Sequence, residues 1–114
     1  MNDELEKKLN SRFEIFKKIH EIILSLNPEI KHRLSTVYVR YMLGDKIIAV
    51  IYFRGKFVSE CRLNGGFSFK EKSTFPDFKD GKFMNYPGIN YSLEIKSDKD
   101  ITSKLVAQLK KSIF

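Results

Sequence analysis

The spacing of apolar residues changes once along this chain, after residue 26, from a helical period to a strand period. Apolar and aromatic side chains recur at intervals of three and four through residues 2–26, which predicts a long amphipathic helix. That stripe consists of Leu5, Leu9, Phe13, Phe16, His20 and Ile23. Pro28 sets the end of the helix, because a residue before proline disfavours helical dihedrals. A helix followed by strands predicts a fold in which helices cover a sheet.

Alternation of apolar and polar residues, the period of a β-strand, begins after a short polar connection over residues 27–36. The alternating runs cover residues 37–43, 47–53 and 57–63. Turns at Gly44 and Gly55 join them, which predicts a three-stranded antiparallel meander. The middle run is apolar at almost every position, as expected of a central strand. Residues 64–66, Asn-Gly-Gly, interrupt the alternation and are interpreted as the end of the third strand.

A segment rich in phenylalanine and lysine, residues 67–83, fits neither period. Burying a phenylalanine contributes roughly 1.5–3 kcal/mol, so most of its rings should fold over the sheet or its edge. The segment is either irregular or holds short strand pieces near residues 67–70 and 82–86, and we expect it to pair partly with the edge of the sheet. Residues 91–96 alternate again and predict a last strand. A terminal helix follows, with Ser97 as N-cap and Asp100 completing a capping box.

These elements predict one α+β domain over residues 1–114. Two separate cores in 114 residues would each bury too little surface to be stable. The predicted architecture is an antiparallel sheet of four to five strands, with the N-terminal and C-terminal helices packed on one face.

The charge balance favours an anionic partner. Lysine and arginine number 21 against 14 acidic residues, for a formal net charge of +7, and such an excess attracts phosphates. The chain has a single cysteine, Cys61, and the sequence shows neither a signal peptide nor an apolar run long enough for a membrane span. The expected location is therefore the cytoplasm, with no membrane contact.

Residues that could carry catalysis are sparse, so the sequence predicts a protein that is not an enzyme and has no cofactor or metal. No glycine-rich phosphate loop is present, since Gly65-Gly66 lacks the Lys-Ser/Thr that would follow. His20 lies on the apolar helical stripe and His32 in a connection, which favours structural roles. Cys61 shares one face of its strand with Ser59 and Leu63. This is the predicted apolar face, where a thiol stays protonated and inert.

Binding chemistry is better represented. Alternation places one set of strand residues towards the helices: Val39, Tyr41, Cys61, Leu63, Leu93 and Ile95. The opposite face then combines arginines with a tyrosine, groups that contact phosphates and stack on bases. The candidate nucleic-acid contacts are Tyr38, Arg40, Arg62, Lys70, Lys72, Lys79, Lys82 and Lys96. A competing interpretation is that these arginines only pair with Glu60 and Glu94 on a solvated face.

The alternative function is a protein-interaction module, self-associating or binding another protein. It would use the aromatic segment over residues 67–91, with Phe75 and Phe78 as contact residues, or an edge of the sheet.

Three strings, FKKIHEIILSLNPEIKHRL (16–34), VYVRYMLGDKIIAVIYF (37–53) and INYSLEIKSDKDITSKLVAQLKKSIF (89–114), resemble a small bacterial domain of uncharacterised function known as a predicted transport protein. Its architecture is distantly similar to YjbR/MmcQ-like and frataxin-like folds. Members occur alone or attached to restriction-type and other nucleic-acid enzymes. The resemblance therefore implies an α+β fold and an accessory binding role in nucleic-acid or defence systems.

Overall fold

Two α-helices and an antiparallel sheet make up the part of the chain that the structure, a computed structural model, describes: residues 12–54, 63–69, 79–80, 88–89 and 91–113. The helices are α1 (Phe13–Ser25) and α2 (Ser103–Ile113), with a 3-10 helix (Asp98–Asp100) before α2. The strands are β1 (Lys31–Leu34), β2 (Tyr38–Leu43), β3 (Lys46–Tyr52), β4 (Leu63–Phe67), β5 (Lys79–Asp80) and β6 (Tyr91–Ile95).

The sheet has the strand order β1-β2-β3-β4-β6-β5, and every neighbouring pair is antiparallel. Five of these strands have four or more residues, and β5 has only two. The predicted fold class, an α+β fold with an antiparallel sheet and two helices, is confirmed. The sequence also predicted pairing of the aromatic segment with the sheet edge, and β5 pairs there with β6.

Both helices pack against the same face of the sheet. One buried cluster joins Phe16, Ile19 and Ile23 of α1 with Leu105 and Leu109 of α2. Its strand residues include Val39, Tyr41, Ala49, Ile51, Leu63, Phe67 and Ile95. Four of the six residues predicted to face the helices are therefore buried here, and Leu93 packs half-buried against the cluster. Cys61 lies outside the described residues.

Strand β3 is apolar along almost its whole length and contains a β-bulge. Tyr41 pairs with Ala49 whereas the next residue, Met42, pairs with Ile47, so Ile48 is an extra residue on β3. Ile48 and Ala49 both join the core under the helices, while Ile47 packs on the opposite face. The bulge thus places two adjacent apolar residues on the helix side, and burial on both faces of the sheet accounts for the apolar character of the rest of β3.

The prediction that residues 27–36 form only a connection is wrong. Lys31–Leu34 is an edge strand that pairs with β2, with Arg33 opposite Arg40 and Leu34 opposite Val39. An edge strand has one neighbour and few buried side chains, so three of its four residues are exposed and polar. Local sequence therefore carried little strand signal.

The prediction that the third strand ends at residues 64–66 is also wrong, because these residues lie inside β4. A Cβ atom on Gly65 would lie 2.8 Å from the Phe67 ring and 3.3 Å from Ile51 Cδ1. The glycine therefore leaves room for the Phe67 ring, which stacks on Phe69 at a centroid distance of 5.7 Å. Both rings are buried, as predicted for the aromatic segment, whereas Phe75, Phe78 and Phe83 lie outside the described residues.

The predicted capping box is present, but it caps the N-terminus of the 3-10 helix and not that of α2. The Asp100 carboxylate accepts hydrogen bonds from the backbone N–H groups of Lys96 and Ser97, at 2.7 and 3.2 Å. Helix α2 begins later, where Thr102 Oγ1 accepts the backbone N–H of Leu105 at 3.2 Å. Thr102 therefore takes the N-cap role predicted for Ser97.

Replacing Thr102 by alanine should lower the free energy of unfolding by about 1 kcal/mol, because a donor in the first turn of α2 loses its acceptor. Urea denaturation measures the change. Ser103→Ala, one residue further into the helix, is the matched control and should change stability by no more than about 0.5 kcal/mol. Equal losses in the two variants would contradict the N-cap role of Thr102.

The second face of the sheet is partly covered. Ile89 is buried against Val50 and Tyr52, which form a small cluster on the side opposite the helices. Asn64 and Ser92 on the same face are also buried. The open face that the sequence predicted is therefore closed over its central strands.

Among the described residues, no helix combines the length and the apolarity that crossing a membrane requires.

Candidate anion-binding site

Two arginines lie directly opposite each other on the β1–β2 hairpin. Arg33 of β1 pairs in register with Arg40 of β2, and both project from the face opposite the helices, since their neighbours Leu34 and Val39 face the core. The Cβ atoms of such cross-strand partners are about 4.5–5.5 Å apart, and like charges at this spacing destabilise a sheet. An anion bound between the two guanidinium groups would remove that repulsion.

The two arginines line a cleft of about 330 Å³. Its lining consists of Arg33, Leu34, Ser35, Tyr38 and Arg40. This volume is at the lower end of the range for small-molecule sites, about 300–1,000 Å³. We call this feature the hairpin cleft. It is large enough for a phosphate group together with part of the molecule that carries it.

The turn between β1 and β2 is held by its own hydrogen bonds. The backbone N–H of Ser35 donates to the carbonyl of Tyr38 at 2.8 Å. Ser35 Oγ accepts the backbone N–H groups of Val37 at 3.2 Å and Tyr38 at 3.1 Å. The hydroxyl hydrogen of Ser35 can still be donated to a ligand. The turn therefore presents a donor between the arginines and Tyr38 in a fixed position.

Arg33 and Arg40 differ in their exposure. Arg33 is exposed, and within the described residues it forms no ion pair with a carboxylate. Arg40 is half-buried, with its Nε atom shielded from solvent, so its side chain has less freedom to lose on binding. A guanidinium stays charged at every physiological pH and presents paired N–H donors that match two phosphate oxygens. The pair can therefore bind a multiply charged oxyanion.

Tyr38 borders the cleft and packs against a second tyrosine. Its ring meets the ring of Tyr52 edge to face, with centroids 5.3 Å apart, and Tyr52 is itself buried. Tyr38 remains half-buried, so part of its ring is accessible beside the arginines. An aromatic ring that is held by such a contact and lies next to paired cations suits a ligand with both an anionic and a planar part.

Among the described residues, the structure brings together two of the predicted nucleic-acid contacts, Tyr38 and Arg40. Lys96 is exposed just after β6, which lies three strands from β2, or about 14 Å at the usual strand spacing. Lys79 lies on β5, at the edge of the sheet opposite β1. The remaining predicted contacts fall outside the described residues: Arg62, Lys70, Lys72, Lys82, Phe75 and Phe78.

Sequence reasoning missed Arg33, the residue that completes the pair. The signal was present but short: Lys31 and Arg33 alternate with His32 and Leu34 over four residues. His32 and Leu34 would have had to be recognised as facing the helix side of the sheet. The pairing with β2, which the alternation does not reveal, defines the site.

A second cluster of titratable groups lies on the helix side of the same hairpin. His20 Nδ1 of α1 is 2.7 Å from the Tyr41 hydroxyl, and the rings of His20 and His32 meet edge to face with centroids 4.8 Å apart. Burial, and secondarily the nearby His32, lowers the pKa of His20 from 6.5 to about 4. Burial raises the pKa of Tyr41. His20 is thus a neutral core residue near pH 7.

The described residues contain no group of three or more His, Cys, Asp or Glu side chains placed to bind a metal ion. His20 and His32 could supply two nitrogen ligands, but structural and catalytic metal sites use at least three protein ligands. The cluster is therefore best explained by packing of α1 on the hairpin.

No protein-family model matches this sequence, and no curated protein or solved structure is significantly similar to it. The argument for function therefore depends on the geometry and chemistry of the hairpin cleft.

Proposed function

We propose that this protein is a non-enzymatic binding module that contacts nucleic acid through the hairpin cleft. The observation that carries the proposal is the cross-strand pair of Arg33 and Arg40 in one cleft with Ser35 and Tyr38. A phosphate between the two guanidinium groups would be attracted by both and could accept their paired N–H donors. The cleft therefore gains more from binding an anion than two separated surface arginines would.

Nucleic acid is the anionic partner that matches both parts of the cleft. Its phosphates match the arginines, and its bases can stack on the accessible part of the Tyr38 ring. The formal net charge of +7 would accelerate the encounter. We place this activity in the bacterial cytoplasm, as an accessory to nucleic-acid or defence enzymes, in line with the resemblance noted in the sequence. Lys96 and the lysines of the aromatic segment are proposed as secondary contacts.

The alternative, self-association through a sheet edge, is opposed by the charge of β1. Lys31, His32 and Arg33 are all exposed on this edge strand. Pairing two copies of β1 would bring basic side chains of one copy next to those of the other, and such edge charges normally prevent pairing. A protein partner at this edge would need to be acidic.

Replacing Arg33 by glutamine should weaken binding to a short single-stranded DNA about tenfold. One charge-assisted contact is lost, worth roughly 1.5 kcal/mol. Arg40→Gln should weaken it by a similar factor. Fluorescence anisotropy at low salt measures the affinity. The matched control is Lys104→Gln, which removes the same charge from an exposed position on α2 and should change affinity by about twofold at most.

Stability supplies a second readout. Arg33→Gln, at an exposed position of the edge strand, should leave the stability of the protein without ligand within about 0.5 kcal/mol, so that its loss of binding would not reflect unfolding. Equal weakening by Arg33→Gln and Lys104→Gln would mean that only net charge matters, and no binding to any strand at low salt would refute the proposed function.

A further inference from the structure

The positive charge of the hairpin cleft is confined to a small area. In the register across the sheet, Arg33 and Arg40 are followed by Val50, Gly66 and Ser92, all buried and uncharged. The next cation in this row is Lys79 on β5, which pairs with Ser92 and lies four strands, or about 19 Å, from β2. A nucleic-acid strand carries a charge about every 3.4 Å, so a protein that follows its backbone needs a continuing row of cations.

The charge is bounded along β1 as well. Lys31, two residues before Arg33 on the same face, lines a separate cleft of about 620 Å³. That cleft also contains Glu29 and Asp45, whose carboxylates oppose a phosphate. Among the described residues next to the cleft, Arg33 and Arg40 thus form a concentrated cationic point rather than part of a continuous track.

A terminal phosphate matches this arrangement better than an internal one. A phosphomonoester carries about −1.5 to −2 charges near pH 7 and presents three terminal oxygens, whereas a phosphodiester within a strand carries one charge. Two guanidinium groups can neutralise the doubly charged group with paired N–H donors. The Ser35 hydroxyl lies in the same cleft and can donate to a remaining oxygen.

The neighbouring groups favour a phosphate that is attached to a nucleoside. Tyr38 lines the cleft beside the arginines, so the nucleoside next to a bound phosphate would meet its ring. The volume of about 330 Å³ holds a phosphate and part of one nucleoside, and β1 is the edge of the sheet. The rest of a strand can leave the cleft past that edge.

We propose, as a refinement that rests on the proposed function, that the hairpin cleft binds the terminal phosphomonoester of a nucleic-acid strand, with Arg33 and Arg40 on the phosphate and Tyr38 on the first nucleoside. The protein then recognises strand ends rather than strand interiors.

The test compares three single-stranded DNAs of one sequence and one internal fluorescent label: one phosphorylated at the 5′ end, one at the 3′ end and one at neither. We expect one of the phosphorylated strands to bind the full-length protein at least tenfold more tightly than the unphosphorylated strand, which is about 1.4 kcal/mol. The preferred end defines the polarity of the site.

Variants locate the preference. Arg33→Gln and Arg40→Gln should abolish it, while Lys104→Gln, on α2, should retain it. A preference that survives both arginine substitutions would place the terminal phosphate elsewhere and overturn the inference. Arg33 and Arg40 together should contribute about −1.4 to the slope of log affinity against log salt concentration, since each contact to a single strand contributes about −0.7.

The remaining outcomes separate the refinement from the proposed function. Equal affinity for all three strands, reduced by Arg33→Gln, would overturn end recognition and leave nucleic-acid binding in place. Absence of binding to all three at low salt would refute both. Competition by a nucleoside monophosphate, but not by the unphosphorylated nucleoside, would support the terminal phosphate independently.

Discussion

Replacing Gly88 by alanine should lower the free energy of unfolding by about 2–5 kcal/mol. Gly88 has a φ of +89°, and left-handed backbone costs other residues roughly 1–2 kcal/mol. A Cβ atom there would also collide with Cγ2 of Ile47, a branched methyl group on β3 that has little room to move. Overpacking of this kind costs typically 1–3 kcal/mol. Urea denaturation of the two proteins measures the sum.

Gly44→Ala is the matched control for this prediction. Gly44 also has a positive φ, +61°, but a Cβ atom there would meet nothing within 4 Å. Its replacement should cost only the backbone term, roughly 1–2 kcal/mol. The difference between the two variants therefore isolates the contact between Gly88 and Ile47, and equal losses would contradict the close packing of residues 88–89 on the second face.

This contact also matters for the candidate site. Ile89, next to Gly88, covers Val50 and Tyr52, and Tyr52 braces the ring of Tyr38. Loosening residues 88–89 should weaken stacking of a base on Tyr38 but leave the arginine pair, which depends on the β1–β2 register, in place. Gly88→Ala should therefore reduce DNA affinity by less than Arg33→Gln does.

Sequence periodicity predicted the elements whose burial follows a simple pattern. Phe16, His20 and Ile23 of α1 recur at helical intervals and are buried, because one face of a long helix packs on a flat sheet. Strand β6 was predicted from Tyr91, Leu93 and Ile95, which alternate as one face of a strand does. In both elements the local pattern agrees with the tertiary contacts.

The features that were missed depend on strand pairing and side-chain packing in the folded protein. Strand β1 has an exposed, polar pattern and is defined by pairing with β2. Gly65 resembles a turn residue in the sequence, yet it lies within β4 because the Phe67 ring occupies the space where its side chain would be. Glycine alone does not distinguish these two uses, because what requires it is the orientation of the Phe67 ring, two residues along the same strand.

Only part of the candidate site was predicted from the sequence. Alternation along β2 placed Tyr38 and Arg40 on the face away from the helices, and the register agrees. Arg33 could not be added without recognising β1. The cover formed by Ile89 follows a segment with no regular period, so its position over Val50 was not predictable from local sequence.

Lowering the pH from 7 to 4 should destabilise the protein through His20 by about 2 kcal/mol. Its pKa is lowered to about 4 in the folded protein, against 6.5 ordinarily, so between these values the unfolded chain binds one proton more. Stability therefore falls as the pH drops below 6.5, by up to 1.36 kcal/mol per pH unit, and levels off near pH 4. The full shift would give about 3 kcal/mol, and solvent near exposed His32 reduces this figure.

His20→Gln removes the titration while keeping a group that can bond to the Tyr41 hydroxyl. This variant should be less stable than the original protein at pH 7, because it loses ring stacking on Phe16, but the difference should shrink or reverse towards pH 4. His32→Gln is the control. Burial is the larger cause of the His20 shift, so this variant should keep most of the acid destabilisation. A stability profile for His20→Gln parallel to that of the original protein across pH 4–7 would show that His20 does not stay neutral in the core, since all other acid-sensitive groups are common to the two proteins.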